Sequence, residues 1–194
     1  MKYISLDTET GGIGEDLSLL SVALIVIDGK NIRDGLVNEF DYVDVFNSLL
    51  RPDDGVFKVT AEALRINRID ISTLDRETSL TYKEAGSAIY NFLHKLSDHG
   101  REKLIPLGKN IYFDLGHIWD KLISRRTWEQ FCSYRTIDLS ALVETYRLQE
   151  KLPPTLDGSL KTVARYFDIN IDKCHTALGD AQLNIDVFSQ LVRL

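Results

Sequence analysis

LLSVALIVID, residues 19–28, is the stretch whose reading decides the fold. It is apolar at nearly every position, the pattern of a strand buried on both faces. Ahead of it stands KYISL, residues 2–6, a short β-rich run that ends in the acidic D-T-E-T of residues 7–10; Gly11, Gly12 and Gly14 then break the regularity. Behind it, Asp28-Gly29-Lys30-Asn31 reads as a hairpin turn, and residues 32–42 follow as a third strand with looser alternation. Three strands joined in this way predict an antiparallel meander.

Further along, the period changes. Residues 61–65 form a short helical segment, and residues 82–96 a longer one with Ala85, Ala88, Ile89, Phe92, Leu93 and Leu96 on a 3.6-residue repeat. Residues 104–107 are a brief apolar strand, and 112–123 again read as helix. Asp138 suits the N-cap of a helix over 139–146, and Ser159 that of one over 160–167. Pro153-Pro154 and Asp157-Gly158 mark the loop between them, and a final helix runs over 176–191. No repeat, low-complexity tract or linker divides the chain. Residues 1–194 therefore read as one α/β domain with a mixed sheet.

Composition narrows the class. With 194 residues, 44% hydrophobic and 27% charged, the chain can bury roughly 70% of its unfolded surface without disulfide staples. Cys132 and Cys174 are too few for a secreted framework and lack metal-site spacing. No apolar run approaches the ~20 residues that span a bilayer. The apolar stretch after Met1-Lys2 is too short for a signal peptide, which points to the cytoplasm. A formal charge of −6 argues against a protein that coats nucleic acid by bulk electrostatics. It leaves room for a nucleic-acid enzyme whose site supplies its own cations.

The acids carry the chemistry. Asp7 and Glu9 are two apart on a strand, so both carboxylates share one face. Two like charges that close repel unless a cation sits between them. Asp114 lies where a strand gives way to a helix, in L-G-K-N-I-Y-F-D (107–114). Ala177, Ala181, Ile185, Phe188 and Val192 form the buried stripe of the last helix; Asp180 is on its rim, and His175 sits just ahead of it. A helix N-terminus disfavours imidazolium and so favours a neutral, proton-accepting His175. Each piece alone has an ordinary reading: loop acids, a dipole-complementing aspartate, a surface histidine.

The ordered combination resembles the DEDDh (DnaQ-like) 3′–5′ exonuclease family: D-T-E-T-G-G-I (7–13), N-x-x-x-D (110–114) and H-x-x-x-x-D (175–180). R-T-I-D-L (135–139) and S-L-K-T-V-A-R-Y-F (159–167) are similar to its connecting helices. The resemblance implies an RNase H-like fold, a mixed five-stranded sheet with one antiparallel strand, flanked by helices. It also implies two Mg2+ or Mn2+ ions held by Asp7, Glu9, Asp114 and Asp180, an all-carboxylate set that suits hard cations. Two such ions about 4 Å apart stabilise both the attacking and the leaving oxygen of an in-line displacement, and would bring the net charge from −6 to −2. By position, Asp7 bridges, Glu9 and Asp180 complete the first ion's site, Asp114 serves the second, and His175 is the general base. Thr176 stands where a tyrosine variant of the family has Tyr, which favours the histidine class.

Thr10 and Ile13 match positions that contact the 3′-terminal nucleotide, and Asn110 either orients substrate or caps the turn. The family has Leu in place of Ile13 and Thr in place of Gly11, departures that bear on nucleotide selectivity. His117 reads as structural or groove-side, Trp119 and Trp128 as core, and Cys174 as a packing residue. Arg125-Arg126, Lys161 and Arg165 read equally as phosphate contacts or as a solvated helix face. The expected activity is metal-dependent removal of nucleoside 5′-monophosphates from single-stranded 3′ ends of DNA or RNA. The rivals are a binding or scaffold protein on the same fold and a hydrolase of small phosphodiesters or nucleotides. A homodimer or a polymerase or repair partner is not readable from the sequence.

Overall fold

In the computed structural model, which describes residues 1–194 except 15, 35, 36 and 173, the strands are β1 (Lys2–Thr10), β2 (Leu19–Asp28), β3 (Tyr42–Arg51), β4 (Leu80–Thr81), β5 (Ile105–Gly108) and β6 (Ile137–Asp138). The helices are α1 (Gly29–Asp34), α2 (Ala61–Asn67), α3 (Tyr82–Leu96), α4 (Ile111–Lys121), α5 (Arg125–Trp128), α6 (Leu139–Leu148), α7 (Leu160–Tyr166) and α8 (Ala177–Leu191). The strands form one sheet in the order β4-β3-β2-β1-β5-β6. β2 runs antiparallel to β1 and β3, while the pairs β1/β5, β5/β6 and β3/β4 are parallel. One strand thus opposes the rest, as expected. The sheet has six strands in place of the implied five: to the four read from the sequence it adds β4 and β6, each of two residues.

β2 is buried from Leu19 through Ile27. Alternation sends its side chains to two cores. Leu24 and Val26 join Ile4 and Leu6 of β1 against Ile89 and Leu93 of α3 and Leu115 and Ile118 of α4. Ala23, Ile25 and Ile27 pack on the other face against Ala181, Ile185 and Phe188 of α8. Each large aliphatic side chain so buried contributes about 1.5–3 kcal/mol. α3 begins with a capping box in which Thr81 and Glu84 satisfy each other's backbone N–H groups. No helix among the described residues is long and apolar enough to cross a membrane.

The expected third strand over 32–42 is a correction. α1 covers Gly29–Asp34, a 3-10 turn covers Glu39–Asp41, and β3 begins at Tyr42; positions 35 and 36 of that expectation lie outside the described residues. Gly29 is no hairpin corner: its N–H donates to the Met1 carbonyl at 3.0 Å. Ile32 is buried beside α8, whose Ser189 hydroxyl donates to the Ile32 carbonyl at 2.9 Å. Docking against α8 overrides the local turn signal.

β1 and β5 are parallel neighbours, so their carboxyl ends open at the same edge of the sheet, where α4 starts. Crevices of this kind are where open α/β sheets bind ligands.

Candidate active site

Asp7 and Glu9 point from β1 toward α8, and Asp180 in the first turn of α8 meets them there. One carboxylate oxygen from each lies within 4.8 Å of the others. None of the three is in an ion pair among the described residues. Burial, followed by the charges of Asp114, Asp180 and Glu9, holds the Asp7 carboxyl well above the usual carboxylate range. Burial pushes Glu9 up to about 7, reinforced by Asp180 and Asp114 and opposed by Lys161. Asp180 is also raised by burial, against the hydrogen bond it accepts from the His175 N–H at 3.3 Å. Three converging carboxylate oxygens with no ion-pair partner among the described residues are the donor set of a hard divalent cation.

Asp114 stands on the other side of β1. It is 5% exposed in the first turn of α4, and one of its oxygens accepts from both the N–H (2.9 Å) and the hydroxyl (2.6 Å) of Thr8. Burial raises its carboxyl above the usual range, and these two bonds pull it back. Asn110, at φ 49°, turns the chain into α4, and its side chain does not cap the helix. Instead it accepts from the Ser140 hydroxyl at 2.7 Å, while Asp138 accepts from the backbone N–H groups of Asn110 and Ile111. β6 and α6 thus fix the turn that aims Asp114.

His175 precedes α8 in the left-handed region, φ 71°. Its Nε2 meets the Nζ of Lys161, half-buried in the first turn of α7. Burial and then the charge of Asp180 push the Cys174 thiol above the ordinary range, away from the thiolate that a nucleophile needs.

Ile13 is 91% exposed and flanks a cavity of about 500 Å3 with Tyr112, Phe113, Gly116 and the buried His117. The Thr10 hydroxyl donates to the Gly12 carbonyl at 2.7 Å. Gly11 is required by packing, since a Cβ there would lie 2.4 Å from the Lys58 carbonyl. Arg125 pairs with Glu129 at 2.8 Å and lies over Trp119. Sequence reasoning missed the hold of Thr8 on Asp114. It also missed Asn67, buried at the end of α2, which donates to the Thr10 carbonyl at 3.2 Å and lines a cavity of about 330 Å3 with Glu9 and His175. Thr8 lay in view inside D-T-E; Asn67 had no signal in the sequence.

An exonuclease family model (RNase_T) matches residues 4–188. A search of curated protein sequences gives no match. Among solved structures, Exonuclease I of E. coli in complex with a dT13 oligonucleotide is 16% identical, with a TM-score of 0.65 over 97% of this chain and 40% of that one. Cell-death related nuclease 4 (CRN-4) is 13% identical, with a TM-score of 0.68 over 99% of this chain and 64% of that one. A 3′-exonuclease that recognises the 3′ end of a histone mRNA stem-loop is 13% identical, with a TM-score of 0.63 over 99% of this chain and 81% of that one. The chain thus spans about 40% of the length of Exonuclease I. At these identities the likeness is one of fold.

Proposed function

The chain belongs to the exonuclease family, the DnaQ-like enzymes on an RNase H-like fold, and from that premise we propose that residues 1–194 form one cytoplasmic exonuclease domain that removes nucleoside 5′-monophosphates from the free 3′ ends of single-stranded DNA or RNA. The observation that carries the reading is the convergence of Asp7, Glu9 and Asp180, with Asp114 tethered behind Thr8. Asp7, Glu9 and Asp180 would hold one Mg2+ or Mn2+, and Asp114 would serve a second. Bound there, divalent cations polarise the scissile phosphate and offset the charge that develops as water attacks. His175 takes the proton of the attacking water. The P–O3′ bond breaks, and the terminal nucleotide leaves with its 5′-phosphate. Thr10 and Asn110 position the terminal nucleotide, and Ile13, projecting into solvent beside Phe113, packs against its base.

The test is cleavage of matched 5′-labelled single-stranded DNA and RNA, with free or blocked 3′ ends, in Mg2+, Mn2+ or EDTA. A metal-dependent ladder that shrinks from the free 3′ end only is the expected result, and the faster substrate identifies the preferred sugar. Loss of turnover by 10²–10⁴-fold in His175→Ala is expected for a general base. A folded protein that cleaves neither strand in either metal refutes the reading.

A further inference from the structure

Lys161 is a cation placed against this acidic site for no reason of helix stability. It stands in the first turn of α7, where the helix dipole disfavours positive charge. No carboxylate pairs with it within salt-bridge distance among the described residues. Its Nζ rests on Nε2 of His175, at the mouth of the carboxylate cluster. An ammonium has three N–H donors and no lone pair, so in that contact Lys161 donates and the imidazole lone pair is occupied. A histidine in that state cannot accept a proton from water. For His175 to work, Lys161 has to leave Nε2 for another acceptor. The acceptor that arrives with substrate is a phosphodiester oxygen.

We propose that Lys161 is the phosphate-binding cation of this site, resting on His175 until a strand enters and then moving to a phosphate oxygen of its 3′-terminal unit, which frees Nε2. The proposal rests on the exonuclease reading and deepens it: occupancy by a phosphate, rather than metal loading alone, makes the base available. It also assigns one of the four cations that the sequence left equally open. Arg125 is already held by Glu129 and Trp119, whereas Lys161 faces the centre.

The experiment measures binding of a fluorescent single strand with a free 3′ end by anisotropy, in Ca2+ to hold off turnover, over a series of salt concentrations. Wild type is compared with Lys161→Met and Lys161→Arg, and steady-state cleavage in Mg2+ is measured beside it. Loss of one phosphate contact lowers the slope of log K against log salt by about 0.7 for a single strand. Lys161→Met is expected to show that drop, with KM rising more than kcat falls, and Lys161→Arg is expected to keep the wild-type slope. A Lys161 that merely props His175 predicts the reverse, a fall in kcat with slope and KM unmoved, and that result overturns the assignment. The two readings fail separately. Wild-type cleavage with an unchanged slope in Lys161→Met removes Lys161 alone; a wild-type chain that neither binds nor cleaves the strand removes the exonuclease reading and the assignment with it.

Discussion

The two faces of β1 treat their acids in opposite ways at its carboxyl end. Toward α4, Asp114 is buried but accepts two hydrogen bonds from a single residue, Thr8. Toward α8, Asp7, Glu9 and Asp180 crowd within 4.8 Å, and the hydrogen bonds to that group, from the His175 N–H and the Cys174 thiol, both go to Asp180. The first arrangement is what a folded chain does with a buried polar group. The second is one that folding by itself would reject, since like charges in a half-buried place repel. The difference separates a ligand that the protein aims from ligands that wait for a cation.

The largest effect that can break this contrast is chemical. Asp7→Asn removes a ligand from the crowded side, and several kcal/mol of transition-state stabilisation goes with it. Turnover should fall on the order of a thousandfold or more, while the melting temperature of the metal-free protein rises by a few degrees, roughly what 1 kcal/mol produces in a chain of this size. A lower melting temperature, measured in EDTA, would mean that the cluster is satisfied as it stands.

Stability against pH is next in size. In the metal-free protein the raised carboxyls of Asp7, Glu9, Asp180 and, across β1, Asp114 keep protons that the unfolded chain releases above about pH 4.5. Their contribution is therefore whole below the ordinary carboxylate range and is lost as pH rises through about 7. Urea unfolding in EDTA should lose about 3 kcal/mol between roughly pH 5 and pH 8. Saturating Mg2+ should flatten that fall, because the cation binds the native state and replaces the protons. Asp186, six residues along α8 from Asp180 and raised by burial to about 6, supplies a slope of the same sign that Mg2+ leaves in place and Asp186→Asn removes. If Mg2+ leaves the whole slope untouched, the three acids are not one cation site.

Thr8→Val probes the other face. It deletes the hydroxyl donor to Asp114 and keeps the backbone one, and should destabilise the metal-free protein by about 1.5 kcal/mol, the usual worth of a hydrogen bond to a charged group. The sign is opposite to that of Asp7→Asn. Two thermal melts in EDTA settle whether the faces differ as described.

How legible this was depended on range. Period two alone set Asp7 and Glu9 on one face, and continuous apolarity placed β2 at the bounds it has. The periodic run at residues 82–96 likewise became α3. Asp114 and Asp180 needed the ordered motifs, because the carboxylates meet only after β5 is laid beside β1 and α8 across its face. What escaped was either too short for a period, as with β4 and β6, or decided at long range. Asp28-Gly29-Lys30-Asn31 has the composition of a turn, yet Gly29 packs where a Cβ would lie 2.8 Å from the Tyr3 ring, and Ile32 docks beneath α8. The contact of Lys161 with His175 links residues 14 apart through α7, and that of Asn67 with Thr10 links residues 57 apart. No local pattern announces either.

The smallest effect sharpens the contrast between a surface kept open and one kept closed. A Cβ on Gly116 would meet nothing within 4 Å, whereas one on Gly86 of α3 would fall 2.1 Å from the Leu122 carbonyl. Glycine inside a helix costs about 0.5–1 kcal/mol relative to alanine. Gly86 has a packing reason for that cost, since it lets α3 approach the chain just after α4. Gly116 has none in the fold, and it lies in the cavity with Ile13 and Phe113. Gly116→Ala should therefore raise stability by up to about 1 kcal/mol, and Gly86→Ala should lower it by more than that, since the clash is with backbone rather than a flexible side chain. If the 3′-terminal base uses the cavity, Gly116→Ala also raises KM for the strand while the protein melts higher. A more stable variant with an unchanged KM would show that the open face of α4 is not part of the substrate path.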